Sequence, residues 1–369
     1  MEFTRNFIFI SFILIFLGCK SDDKTTSDNT ILNNSSEELN FKDLMKPIPP
    51  TAVLSDSAYF TWGGSMVEGE DGRFHLFYSR WPRELGFNAW VTHSEIAHAI
   101  SEHPEGPYKF ESIALPKRGG DFWDGSDTHN PSVHRFGDKY YLYYMGNKGD
   151  GKVMKGLNFS HRNNQRIGVA VADSLNGKWK RFDSPLIDVS PEDDAPDALM
   201  VANPSITQTP DGNYLMVYKA VGKKIKGVFG GPVVHCVATS SSPTGPFKKY
   251  PKTIFNSEGT DFPAEDPFIW FQEDRYWAIL KDMHGAFTTA GQSLILFNSS
   301  DGFEWQLAKY PLVSKLQLKW KDSLQVVNRL ERPQLWLKDG EPSVLFLAVQ
   351  TQSDHSFNVH IPLKTKEEE

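Results

Sequence analysis

The stretch Phe262-Pro-Ala-Glu-Asp-Pro-Phe-Ile-Trp-Phe-Gln-Glu-Asp-Arg-Tyr-Trp-Ala-Ile-Leu280 has a turn-like start, an apolar run, a polar turn and a second apolar-aromatic run. Four other stretches share that form: Gly64–Tyr78, Asn130–Tyr144, Asn203–Tyr218 and Arg332–Leu347. Each reads as a hairpin, because two apolar runs joined by a short polar turn of the Asp-Gly type bring their strands back antiparallel. Taking the residue before the starting Pro or Ser as the mark of each copy gives Gly64, Asn130, Asn203, Asp266 and Arg332, spaced 66, 73, 63 and 66 residues. A period of that length means one supersecondary unit per repeat.

A further strand follows four of the hairpins and runs into a turn rich in Ser, Pro and Gly: Val91–Ser94, Ile167–Ser174, Val234–Ser240 and Leu294–Ser300. The expectation is an all-β fold, a five-bladed β-propeller of four-stranded antiparallel blades, since radial repetition leaves only short strand edges. The repeat leaves no room for a second core in 369 residues, so residues 46–365 are expected to form a single domain. Residues 42–58, with Pro47, Pro49 and Pro50, are expected to run extended along the propeller and to supply an outer strand that closes the ring.

The excess of 46 acidic over 39 basic residues lacks the basic field of a nucleic-acid binder, so no nucleic-acid partner is expected. Arg5 and the apolar run Phe7–Leu17 read as an export signal, too short for a membrane span. Gly18-Cys19 resembles a bacterial lipobox, so residues 1–19 read as a lipoprotein signal with Cys19 as the lipidated residue. That implies a membrane anchor on the periplasmic side or the cell surface. Residues 20–45 begin with a Ser, Asn, Asp and Thr-rich run and read as a disordered tether. Cys236 then has no partner for an internal disulfide and is expected in a buried strand.

Several connections draw notice. Ser79–Trp90 mixes cations with aromatics, which makes Arg80 and Trp81 candidates for contacting an anionic sugar. Lys148–Asn164 is a long excursion rich in Lys, His and Asn, and Lys219–Lys226 is basic; long loops in compact domains are disproportionately functional. Asp121, Asp124 and Asp127 do not have convincing metal-ligand spacing and read as a solvated turn, as does Ser190–Asp197.

In a propeller the starts of the innermost strands converge on one funnel, which makes the marks and the residues before them the candidate site. The repeat, with its Pro-Ser-Val starts and endings such as Thr239-Ser-Ser-Ser-Pro-Thr-Gly-Pro-Phe247, resembles glycoside hydrolase family 43 and its five-bladed relatives over most of residues 60–360. The resemblance implies an Asp base starting blade one, an Asp tuning the acid at the start of blade three, and a Glu acid in a Glu-x-Pro setting in blade four. Glu265 in Glu265-Asp266-Pro267 matches the acid, whereas Gly64 and Asn203 stand at the other two positions. It also implies a sugar substrate and room for a central divalent ion such as calcium near His129.

Neither Gly nor Asn can take a proton from water, so inverting hydrolysis needs a substitute carboxylate such as Asp127, Asp266 or Glu331. The residues present also suit β-elimination on the terminal uronate of a cell-wall or algal oligosaccharide, by a lyase or a dehydratase. His129 would take the C5 proton, Arg332 would hold the uronate carboxylate and Glu265 would protonate the leaving group. Asn130, Asn203, Asp266 and Glu331 would bind the sugar. Three expectations follow: elimination, hydrolysis with relocated carboxylates, and a catalytically silent sugar-binding lipoprotein.

Overall fold

The computed structural model describes residues 38–365 and 368; Cys19, the apolar run before it and most of the expected tether lie outside them. Five four-stranded antiparallel sheets carry the chain. The first comprises Tyr59–Glu68, Phe74–Pro82, Glu95–Ser101 and Lys109–Leu115. The second comprises Asp127–Phe136, Lys139–Asn147, Arg166–Ala172 and Lys180–Arg181. Met200–Gln208, Tyr214–Val221, Val233–Ser240 and Lys248–Ile254 form the third, and Ala264–Gln272, Arg275–Asp282, Ser293–Ser299 and Gln306–Lys315 the fourth. The fifth takes Arg329–Lys338, Glu341–Gln350 and Ser356–Pro362 from the C-terminal end and Val53–Leu54 from the N-terminal side. Val53 pairs with Val359 and Leu54 with Asn358, so the ring is closed by the strand expected to close it.

The apolar residues collect in layers between blades rather than in one central core. Tyr143, Val169, Met216 and Tyr218 fill the seam between blades two and three. Val217, Val237, Ile269 and Ile295 fill the next, and equivalent layers occupy the other three seams. This is why both faces of the inner strands read as apolar: each face meets a neighbouring blade. Hydroxyls pin the seams. Ser65 Oγ accepts from the Val133 amide at 3.0 Å and Ser205 Oγ from the Ile269 amide at 2.8 Å, so the Ser of the repeat ties one blade to the next. Cys236 is buried in its strand.

Three expectations need correction. Val91–Ser94 is not the third strand of blade one: Trp90–His93 is a helical turn, with Thr92 Oγ1 donating to the Ala89 carbonyl, and the strand is Glu95–Ser101. A four-residue apolar run cannot distinguish the two by periodicity. The folded part begins before residue 46, because Phe41–Leu44 is a helical turn whose Phe41 is buried edge-on against Trp270. The acidic turns are not solvated throughout. Asp124 is buried between Arg118 (2.7 Å) and Arg181 (3.2 Å), Asp127 accepts from the Asn147 amide at 3.0 Å, and Asp197 pairs with Lys249 at 2.6 Å.

Candidate active site at the propeller axis

Every innermost strand breaks its ladder at the same place. The register shifts fall between Trp62 and Ser65, His129 and Ser132, Ala202 and Ser205, Glu265 and Phe268, and Glu331 and Gln334. Inside each break one residue has left-handed backbone, with φ of +59° at Gly63, +51° at Asn130, +50° at Asn203, +56° at Asp266 and +54° at Arg332. Asn and Asp tolerate this region and Gly adopts it freely, whereas Arg332 is held there by its surroundings. A bulge re-aims the side chain it carries, and here it turns four side chains toward the axis.

The structure moves the blade-one mark by one residue. Gly63, not Gly64, is the equivalent of Asn130, and Trp62 is the equivalent of His129. A Cβ on Gly64 would meet Leu76 Cδ1 at 2.9 Å, inside the blade, while a Cβ on Gly63 would lie 3.3 Å from Asn130 Oδ1 and 3.4 Å from Arg332 Cγ. The position where the family resemblance implies a base is therefore filled by its neighbours.

Those neighbours form a belt. Asn130 Nδ2 donates to Asn203 Oδ1 at 2.8 Å, Asn203 Nδ2 to Asp266 Oδ1 at 2.6 Å, and Arg332 Nη1 to Asp266 Oδ1 at 3.3 Å. Arg332 is only 1% exposed, and its Nε and Nη2 are buried without a hydrogen-bond partner among the described residues. It sits beneath the funnel and cannot hold a substrate carboxylate, which corrects the role expected for it. The belt does not suit a central divalent ion either. One shared carboxylate beside a guanidinium is a poor donor set for a hard cation, and no cluster of three His, Cys, Asp or Glu able to hold a metal exists among the described residues.

Above the belt opens a funnel enclosing about 550 Å³, counting the space open to solvent at its mouth. Trp62, Trp81, Phe87 and Trp90 wall one part of it, with Met145, Gln165 and Ala202, while Lys219, Glu265, Asp266, Arg329 and Glu331 line the rest. An aromatic platform facing a charged wall suits a sugar ring, which offers apolar C–H faces and polar edges. The platform is rigid, because Trp81 stacks on Phe60 at 5.4 Å and Phe87 meets Trp62 edge-on at 5.4 Å.

His129 lies in the funnel between the aromatic wall and the belt. Its ring stacks on Trp90 at 4.9 Å, and Nδ1 shares a hydrogen bond with Ser94 Oγ at 2.7 Å. Burial, reinforced by the charge of Arg332, holds its pKa well below the ordinary value, so the imidazole is neutral.

The charged wall separates two adjacent carboxyls. Burial alone would raise Glu265, but the charges of Lys219 and Lys281 outweigh it and hold the group at about 2. Its side chain remains 18% exposed to the funnel. At Asp266 burial wins over Arg332, with Glu265 and Glu331 adding to it, and the carboxyl is pushed up to about 6. Glu331 is paired with Lys281 at 2.5 Å and with Arg329 at 3.4 Å. Glu265 is thus an ionised carboxylate rather than the proton-bearing acid that the resemblance implies, and Asp266 is the group nearer to holding a proton.

His129, Asn130, Asn203, Glu265, Asp266, Glu331 and Trp81 all line the funnel as expected. Arg80 does not. Strand alternation turns it away from Trp81, into an ion pair with Glu95 (3.0 Å) and between the rings of Tyr59 and Phe110 at 4.3 and 4.4 Å. Asp127, buried at the root of its strand, is not among the lining residues. Sequence reasoning did not name Trp62, Gln165 or Arg329, and it reached Trp90 and Lys219 only as the end residues of the stretches Ser79–Trp90 and Lys219–Lys226. The shared break in the repeat points to Trp62, the residue before it in blade one. Lys219 opens the basic stretch Lys219–Lys226, and its strand pairing opposite Ala202 brings it beside the next blade's Glu265.

No family model and no curated protein sequence matches the chain. Solved structures do resemble it. A protein described as a glycoside hydrolase superposes with a TM-score of 0.64 at 14% identity, covering 88% of this chain and 94% of its own. A family 117 glycoside hydrolase of the marine bacterium Zobellia galactanivorans gives 0.55 at 16%, covering 83% and 86%. A thermostable family-43 glycoside hydrolase gives 0.55 at 14%, covering 88% and 97%. At these identities the likeness establishes the shared five-bladed propeller fold.

Proposed function

We propose that the chain is a carbohydrate-active enzyme that takes the terminal sugar of a cell-wall oligosaccharide into the axial funnel and hydrolyses its glycosidic bond with relocated carboxylates. The observation that carries this reading is the juxtaposition of an aromatic wall with Glu265, Asp266 and Glu331, two of them adjacent carboxyls with opposite proton affinities. Such separation is how one site supplies both an acid and a base. Asp266 gives its proton to the leaving oxygen. Glu265, kept ionised beside Lys219, or Glu331, paired with Lys281, orients or deprotonates the attacking water or stabilises positive charge on the ring. That the similar structures include enzymes described as glycoside hydrolases supports the same class.

Elimination on a terminal uronate keeps one specific observation in its favour: His129 is neutral, lines the funnel and is oriented through Nδ1, leaving Nε2 free of any hydrogen bond to the described residues. In that reading the substrate carboxylate docks on Arg329 or Lys219 instead of Arg332. Incubation with uronate-containing plant and algal oligosaccharides, followed by mass spectrometry and ultraviolet absorbance, separates the readings. Hydrolysis adds water across a cleaved bond, whereas elimination yields an absorbing unsaturated uronate. Binding without either product returns the catalytically silent sugar-binding protein. Export and anchoring through Cys19 belong to the same proposal, with the enzyme held at a membrane on the periplasmic side or at the cell surface.

A further inference from the structure

Strand order places the loops after the second strands at the funnel end, because those strands finish opposite the starts of the first strands, just beyond the bulges: Asn147 pairs with Asp127 and Val221 with Met200. Two of these loops, the ones after Asn147 and Val221, are joined into one ledge. Arg162 Nη1 donates to the Phe229 carbonyl at 2.6 Å and its guanidinium covers the Phe229 ring at 4.3 Å, while Asn163 Nδ2 donates to the Val228 carbonyl at 2.9 Å. The ledge continues into the funnel at both ends. Asn88, beside the funnel residue Phe87, donates to the Lys155 carbonyl at 3.1 Å, and Gln165, which ends the first loop, lines the funnel with its Nε2 buried and without a partner among the described residues.

The surface of this ledge is unusual in a chain of net charge −7. Lys152-Val-Met-Lys155 and Lys223-Lys-Ile-Lys226 carry five lysines and no acid. Lys223 pairs with Asp193 at 2.7 Å, but Lys152, Lys155, Lys224 and Lys226 are exposed and make no ion pair with the described residues. The same two loops expose apolar groups: Met154 at 53%, Val228 at 66% and Phe229 at 42%. Uncompensated cations on the loops that carry an exposed ring complement a chain that presents both anionic groups and apolar ring faces.

We propose that this ledge is a secondary binding surface for an anionic glycan, a uronate- or sulfate-bearing chain that runs from the sugar held in the funnel across Phe229 and the flanking lysines. The inference rests on the glycan-active reading and adds to it that the preferred substrate is a charged polymer. The funnel takes the chain end, and the ledge adds affinity through several weak contacts, so its contribution grows with chain length and falls with salt.

The test uses the mature protein and a Lys152→Glu/Lys155→Glu/Lys224→Glu/Lys226→Glu variant, with Phe229→Ser as a charge-neutral companion. Gel retardation with polygalacturonate, carrageenan and neutral arabinan reads binding independently of catalysis. The expected result is that wild type is retarded by at least one anionic polymer and not by arabinan, and that the charge variant weakens this binding at least about tenfold, or about 1.4 kcal/mol. Phe229→Ser should weaken it while leaving the salt dependence unchanged. Where turnover is measurable, KM on long anionic chains should rise with little change on short oligosaccharides. Equal retardation of wild type and charge variant, or equal retardation by arabinan, overturns the ledge. Sedimentation with phosphatidylglycerol vesicles but no retardation by either polymer also overturns it, in favour of a lipid surface. Polymer binding by a wild-type protein that turns over none of these substrates would instead remove the hydrolytic reading and leave the ledge standing.

Discussion

Lys219 and Glu265 meet across the seam between the third and fourth blades, ammonium to carboxylate, with Lys219 at the end of a second strand and Glu265 at the start of the next blade's first. The pair explains why a residue in the acid's sequence position is not an acid: the cation that holds Glu265 ionised comes from another blade. Replacing Lys219 with Met should raise the Glu265 pKa, because burial then acts against one fewer positive charge. The measurement is the pH profile of turnover. The expected outcome is a fall in turnover, with the acidic limb moved to higher pH; an unmoved limb would remove Glu265 from the ionised role.

Asp266→Asn tests the proton donor. The amide keeps the acceptor for Asn203 and Arg332 but has no acidic proton to give, so turnover should fall by about 10²–10⁴-fold, the range of general acid–base groups. With the Asp266 carboxyl at about 6, wild-type turnover should decline as pH rises above that value. If Asp266→Asn remains within a few-fold of wild type, the proton comes from elsewhere.

The same two groups make opposite contributions to stability. Glu265 is depressed from 4.5 to about 2, so its contribution is present above 4.5 and is lost as pH falls toward 2. Asp266 is raised from 3.8 to about 6, so the folded state binds the extra proton and stability declines as pH rises between those values. Urea midpoints of wild type and Asp266→Asn across pH 3–7, compared pair by pair, should show that decline in wild type and its loss in the variant.

Much of the fold was legible because its signals are local. The hairpins at Asn130, Asn203, Asp266 and Arg332 announce themselves through a polar residue before Pro, and the period follows. Blade one has Gly63-Gly64 and no Pro, so its only register signal is Ser65, which stands two residues after Gly63 as Ser132 and Ser205 stand after Asn130 and Asn203; in the structure Leu76 on one side and Asn130 and Arg332 on the other agree with it. The site was legible as a set of positions but not as a set of roles. Arg80 and Trp81 are adjacent, yet a strand sends them to opposite faces, and only Trp81 reaches the funnel. Arg332 shares its repeat position with Asn130 and Asn203, but its length takes the guanidinium beneath the opening, against Asp266. Whether Glu265 is ionised depended on Lys219, 46 residues away in sequence and on another blade, which no periodicity reports.

Removal of Cys19 tests the anchor. Cys19→Ala should leave the exported protein in the soluble fraction with unchanged turnover, since the folded propeller begins well after it. Persistence in the membrane fraction would remove the lipid-anchor reading.

Arg332 provides the test that separates scaffold from site. As a substrate-binding residue its loss would raise KM on a stably folded protein. As the buried partner of Asp266, its replacement by Met should cost about 3–5 kcal/mol, because one charge is left unpaired at the axis. The double variant Arg332→Met/Asp266→Asn removes both charges together, so it should recover part of that loss although it carries one more substitution. Urea unfolding of the two singles and the double gives the coupling directly. If Arg332→Met keeps the wild-type midpoint and changes only KM, the guanidinium reaches the substrate after all. If the double is no more stable than Arg332→Met, the axial belt is not held by this pair.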